Sequence, residues 1–382
     1  MEYVNLRDIC EIKMGQSPES SSYNSDKQGV PFYQGNADFG ALYPSPRIWC
    51  NKPIKLAKEN DILISVRAPV GALNFSKEEC CIGRGLAAIT LDSNDFLLEF
   101  IYWSLSTGVK ELQSKSTGST FKSINKKTLE EVRIPKISLK EQKDIIRNLT
   151  LLTNILTKYK QEIVFLDELV KARFVEMFGD PVINSHQLPV QPMTEICDII
   201  DGDRGKNYPK AEDFFDTGYC LFLNAKNVTQ KGFDFDICNF ITKEKDEALR
   251  KGKLSRGDVI LTTRGTVGNL AYYSEDVPYE NIRINSGMVI LRMDRSVLNE
   301  IYFIELFKMK LSDIKEKIAS GSAQPQLPIS TMNKIILIIP PLELQNQFAS
   351  FVQEIDKSRS RIQKSLEASQ ELFDSLMQEY FG

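Results

Sequence analysis

The sequence predicts an α+β protein: two homologous globular α/β modules separated by two long helices that pair as an antiparallel coiled coil, the whole a pseudo-twofold internal repeat. Three observations predict it. Six segments recur in the same order along 382 residues, with spacing that drifts by only a few residues at a time. Two stretches, Leu139 to Phe178 and Leu342 to Phe381, contain neither glycine nor proline. Both stretches carry apolar residues in alternating steps of four and three, the rhythm of a coiled-coil seam.

The first module spans 1–137. It opens with "RDICEIKMG" (from Arg7), which returns as "TEICDIIDG" (from Thr194). "NDILISVRAPVG" (from Asn60) returns as "GDVILTTRGTVG" (from Gly257), and "GRGLAAITL" (from Gly83) as "NSGMVILRM" (from Asn285). These runs are rich in Ile, Leu and Val and bounded by Gly, Pro and Asn, so they read as strands. "FLLEFIYWSLSTGVKELQ" (from Phe96) and its counterpart "VLNEIYFIELFKMKLSDIKEKI" (from Val297) read as helices among them. "STGSTFKSI" (from Ser116) parallels "ASGSAQPQL" (from Ala319), and the second module spans 181–341.

The helix regions are 138–180 and 342–382. "RIPKISLKEQ" (from Arg133) and "IIPPLELQNQ" (from Ile338) lead into them, and "ELVKARFVEMFG" (from Glu168) and "ELFDSLMQEYFG" (from Glu371) close them. In the first, Ile145, Leu149, Leu152, Leu156, Tyr159, Ile163, Leu166 and Val170 form the seam. In the second, Phe348, Val352, Ile355, Ile362, Leu366, Phe373, Leu376 and Tyr380 do so, with Arg359 and Ser369 weakening it. At ~1.5 Å per residue each helix is roughly 50 Å long. The simplest partner for each seam is the other.

Composition narrows the function. Apolar content of 42% and charged content of 26% are those of an ordinary globular protein. No apolar run is long enough to cross a membrane, and the N-terminus is too polar for a signal peptide, so a cytoplasmic location is expected. The seven cysteines have no C-x-x-C spacing, which predicts reduced, mostly buried thiols and no zinc site. The single histidine, His186, argues against His-based triads. A net charge of −3 counts against unaided nucleic-acid binding.

No catalytic signature appears. "DGDRGKN" (Asp201 to Asn207) has a Gly-Lys pair, but its first glycine is too close for a phosphate loop. What remains is polar loop text suited to recognition. The first module offers Gln34 and Asn36 in "VPFYQGNADFG", then Arg67, Arg84, and Ser119, Thr120 and Lys122 in "GSTFKSIN". The second offers Asn224, Lys226 and Asn227 in "LNAKNVTQKG", then Arg264, Asn285 and Ser286 in "RINSG", and Ser322, Gln324 and Gln326 in "GSAQPQLPIS". Arg, Lys, Asn, Gln, Ser and Thr hydrogen-bond phosphate oxygens and base edges. Ordinary solvated turns have the same composition.

The order of two strand-rich modules and two long helices, with "PKISLKEQ" (Pro135 to Gln142), "PPLELQNQ" (Pro340 to Gln347), "TGST", "SGSA" and "FGDP", resembles the specificity subunit of a type I restriction-modification system. The second of these motifs departs, with Asn346 where Glu is expected. The resemblance implies that each module is a target-recognition domain for one half of a split double-stranded DNA sequence. It implies that the helices space the modules and dock two methyltransferase subunits, and that a motor-nuclease subunit can join. No metal or cofactor is implied for this chain; S-adenosylmethionine and Mg/ATP are expected on the partner subunits. Arg67 and Arg264, common to both modules, are expected to serve a shared grip on the backbone, or else to form strand-end salt bridges. Two other readings stay open: a structural coiled-coil scaffold with protein-binding modules, and a nuclease with an unrecognised carboxylate site.

Overall fold

A computed structural model describes residues 2–114, 123–319 and 326–382. The chain divides into two compact units, Met1–Gln161 with Gln363–Gly382, and Glu162–Ile362. The division cuts each long helix, so each unit holds one module and half of both helices.

In the first unit, an antiparallel sheet runs in the order Cys10–Met14, Leu86–Leu91, Ile62–Ser65, Leu73–Phe75. Successive side chains of a strand face opposite sides, and here both sides are covered. Ile62, Ile64, Ala87 and Ile89 face one core, while Leu63, Leu86 and Ala88 face a second, smaller one. This explains why the strands read as continuous apolar runs. Beyond it lies a five-stranded sheet in which Val30–Tyr33 and Cys80–Ile82 run parallel.

The second unit repeats this arrangement. Cys197–Asp201, Met288–Met293, Val259–Thr262 and Leu270–Tyr272 form the equivalent sheet. Val259, Leu261, Val289 and Leu291 face the larger core; Ile260, Met288 and Ile290 face the smaller. Cys220–Leu223 and Ile282–Ile284 form the parallel pair. Registers match residue for residue: Ser65 pairs Leu86 as Thr262 pairs Met288, and Met14 pairs Ala87 as Asp201 pairs Val289.

Both long helices are 40 residues, Leu139–Phe178 and Leu342–Phe381, the whole of each glycine- and proline-free stretch, and at ~1.5 Å per residue this is about 60 Å, so the expected ~50 Å was an underestimate. In the first unit, Ile145 and Leu149 share a core with Phe373, Leu376 and Tyr380, and Asn148 donates a 3.4 Å hydrogen bond to the Tyr380 hydroxyl. In the second, Phe174 and Phe178 lie 5.4 and 5.5 Å from Phe348, ring to ring. The start of each helix therefore packs on the end of the other, which makes the pair antiparallel. Every predicted seam residue is buried or half-buried. Arg359, on the seam, pairs with Asp167 and Asp356.

The helix starts correct one alignment. Gln142 is buried; its Oε1 accepts from Leu97 N (2.8 Å), and its Nε2 donates to the carbonyls of Asp95 and Ile137. Gln345, not Gln347, repeats this, accepting from Asn299 N (2.9 Å) and donating to Val297 and Pro340. The true counterpart of "LKEQ" is "LELQ", and Asn346 is not a departure from it. What differs is the cap. Ser138 and Glu141 form a reciprocal capping box, and the hydrogen bonds that the Ser138 hydroxyl and N–H donate to the Glu141 carboxylate hold it below its ordinary range. Pro341 and Leu344 stand there in the second helix, and proline suits a first turn whose N–H groups lack partners.

All seven cysteines are free and six are buried. Burial pushes the thiols of Cys10, Cys80, Cys197 and Cys220 up to about 12, so they are not nucleophiles at neutral pH.

Candidate nucleic-acid interface

The repeated element "SVRAPVG"/"TTRGTVG" is a hydroxyl-clamped turn. Ser65 Oγ donates to the Pro69 carbonyl and accepts from Ala72 N (2.9 Å); Thr262 Oγ1 donates to the Thr266 carbonyl and accepts from Asn269 N (2.9 Å). Gly71 and Gly268 close it at φ +95° and +87°, a region costly for any residue with a side chain. The clamp leaves an arginine, Arg67 or Arg264, exposed just past the strand end.

Other turns gather beside each arginine through backbone bonds. In the first unit, Val66 N donates to Gly85 O (2.9 Å), Gly85 N to Gln34 O (3.1 Å) and Ile124 N to Val66 O (3.0 Å). Gln34, Arg84 and Arg67 thus stand in one row, and Arg67 bridges Ser123. In the second unit, Thr263 N and Arg264 N donate to Gly287 O (2.8 and 3.2 Å), Leu327 N donates to Thr263 O (2.9 Å), and Arg264 bridges Gln326. Asn224 follows Leu223 as Gln34 follows Tyr33, each at the end of the parallel pair. The second row is therefore Asn224, then Asn285–Gly287, then Arg264 and Gln326.

Among the described residues, the side chains of Arg67, Arg84 and Arg264 make no hydrogen bond or ion pair, so the strand-end salt bridges are not found. An unpaired arginine on a polar rim suits an anionic or base-edge partner. In the second unit, Asp201, Arg204, Thr263, Arg264 and Gln326 line a cleft of about 240 Å³.

The remaining predicted residues divide. Asn36 is half-buried in a short turn two residues past Gln34, and Lys226 is exposed beside Asn224. Asn285 Oδ1 accepts from Gly287 N (2.8 Å), and Ser286 keeps its place in the row with its carbonyl accepting from Arg204. Asn227 is a correction. It is 1% exposed; its amide donates to the carbonyls of Asp234 and Ile237, and its Oδ1 accepts from Asn224 N, so it builds the loop and has nothing left for a ligand. Ser119, Thr120, Lys122, Ser322 and Gln324 lie outside the described residues. Arg204, in "DGDRGKN" three residues past a repeated strand, lines the same cleft although the sequence reading did not single it out. No group of His, Cys, Asp and Glu able to hold a metal ion occurs among the described residues, and no helix among them is long and apolar enough to cross a membrane.

Fold and rim together define a duplicated recognition protein, one polar rim per unit, joined by paired helices. The family model described as the type I restriction modification DNA specificity domain matches residues 1–164 and 190–370, and the chain belongs to that family. The MjaIX specificity subunit of Methanocaldococcus jannaschii is 25% identical over 97% of this chain and 90% of its own length. The putative MjaX specificity subunit of the same organism is 44% identical, but over only 40% of this chain and 36% of its own. The crystal structure of an S subunit from M. genitalium covers 100% of this chain and 96% of its own at a TM-score of 0.61 and 19% identity, a likeness of fold.

Proposed function

We propose that this chain is the non-catalytic DNA-recognition subunit of a type I restriction-modification complex, with each unit reading one half of a bipartite duplex target. The observation that carries it is the repetition of one rim in both units: a clamped turn presenting an unpaired arginine, flanked by turns that differ in their polar side chains. Shared groups serve the shared sugar-phosphate backbone; differing groups serve half-sites that differ.

The long helices space the units and dock two methyltransferase subunits, which bind S-adenosylmethionine; a motor-nuclease subunit using Mg/ATP joins them. Leu151, Val164 and Phe165 on the first helix are 59, 57 and 62% exposed, apolar surface that a partner helix would cover. The acidic balance of the chain fits this division, because partners closing around the duplex can supply much of the phosphate neutralisation.

The test is a module exchange in the assembled complex. Replacing residues 1–137 with another such module should change one half of the methylated motif and leave the other intact. Changes in both halves, or in neither, would refute independent reading.

A further inference from the structure

The two rims carry their guanidinium groups on opposite sides of one contact. In both units the segment leaving the first sheet strand runs against the turn that follows the parallel pair. The approach is so close that a Cβ on Gly15 would lie 2.1 Å from Gly83 O, and one on Gly202 would lie 2.2 Å from Asn285 O. Three residues past Met14 stands Ser17, whose Oγ accepts from Arg84 N at 3.3 Å. Three residues past Asp201, the register equivalent of Met14, stands Arg204, whose Nη2 donates to the Ser286 carbonyl at 3.3 Å. Arg84 and Ser286 are themselves equivalent, each two residues before a paired strand position, Leu86 and Met288. The pair is therefore Ser17/Arg84 in the first unit and Arg204/Ser286 in the second.

We infer that Arg204 is a DNA-contacting residue of the second unit, supplying from the opposite segment the guanidinium that Arg84 supplies in the first. With it, each rim has two arginines: Arg67 and Arg84, and Arg264 and Arg204. Local structure presents Arg204 for this. Asp203, 5% exposed, accepts from Gly205 N (2.6 Å) and Arg250 N (2.7 Å) and so shapes the turn. Asp201 pairs with Arg204 at 3.1 Å and holds its fork, while about half of the side chain stays exposed on the cleft that Arg264 also lines. A held, half-exposed arginine loses less freedom on binding than a free one.

The inference rests on the DNA-recognition reading, and one experiment separates the two. The full chain is assembled with its methyltransferase subunits, and affinity is measured for a duplex bearing the motif mapped by methylation sequencing. The wild-type complex must bind with a steep salt dependence; no such binding refutes both. Given it, Arg204→Ser should weaken binding about tenfold or more, the loss of one good arginine contact, with the melting temperature unchanged. The exchange Arg204→Ser with Ser286→Arg, which rebuilds the arrangement of the first unit, should recover affinity to within about threefold of wild type. An Arg204→Ser complex that binds within twofold of wild type overturns the inference. So does an exchanged variant as weak as Arg204→Ser alone, because the equivalence of the two positions would then be wrong.

Discussion

Asn227 and Arg264 are both polar residues in glycine-flanked loops, and only their surroundings separate them. Asn227 spends its whole amide inside the protein, whereas Arg264 spends none of its guanidinium there. Asn227→Ala leaves three part-buried backbone groups without their side-chain partner and should cost about 1–3 kcal/mol in thermal or denaturant unfolding. Arg264→Ala should leave unfolding unchanged and weaken DNA binding by about 1–3 kcal/mol. The opposite pattern would reverse these assignments. A second contrast is buried. Arg283 takes the sheet position that Cys81 takes in the first unit, and its guanidinium pairs with Asp246 beside Lys253. Burial raises the Asp246 carboxyl, but the hydrogen bonds and charges of Lys253 and Arg283 outweigh it and hold the group below its ordinary 3.8. The stabilisation is thus complete at neutral pH and lost as pH falls below 3.8 through the lowered value. Asp246→Asn leaves Arg283 buried against a neutral partner; it should cost about 3–5 kcal/mol at pH 7 and flatten the acid limb of the unfolding profile. An unchanged acid limb would show that Asp246 is not the titrating group. None of this could be read from composition, because a loop asparagine that binds and one that builds look alike until burial is known.

At the scale of elements, what the sequence shows well is what periodicity encodes. Both seams were legible because a 3.5-residue apolar repeat has few other causes. The strands were legible as apolar runs between glycines, although their pairing order, with Leu86–Leu91 between Cys10–Met14 and Ile62–Ser65, was not. Hydrophobic runs show which residues are buried, not which strand lies beside which. The misplaced helix motif has a similar origin. Two glutamines stand within three residues of each other, and only one turns inward to tie the helix start to the preceding helix of its unit. Gln142→Ala and Gln345→Ala should each cost about 1–3 kcal/mol, the price of stranding a backbone N–H and two carbonyls. Gln347→Ala, at an exposed position, should stay within about 0.5 kcal/mol. If Gln347→Ala proved the more damaging, the revised alignment would fail.

For the whole molecule, duplication was legible because six matches in one order outlast the drift of any single one, and it led directly to two rims. What it did not show is that the rims are alike in plan and unlike in which strand end carries the charge. The same duplication makes the helix pair a test of spacing. Arg359 reaches Asp167, and Asn148 reaches Tyr380, so positions at equal depth can be matched along the pair. Residues 159–165 and 361–367 are each one seven-residue repeat of their seam. Deleting seven residues from one helix alone would keep its apolar rhythm but shift every partner beyond the cut by one repeat, and should lower stability. Deleting both segments keeps the apolar rhythm on each side, because seven residues are one full repeat. It shortens the pair by ~10.5 Å at ~1.5 Å per residue, equivalent to about three base pairs at ~3.4 Å each. If the helices set the gap between half-sites, methylation mapping of the double-deletion complex should show both half-sites unchanged and the gap shorter by about three base pairs. A complex that folds, assembles and still methylates the original spacing would mean that the gap is set elsewhere, in the flexibility of the modules or in the partner subunits.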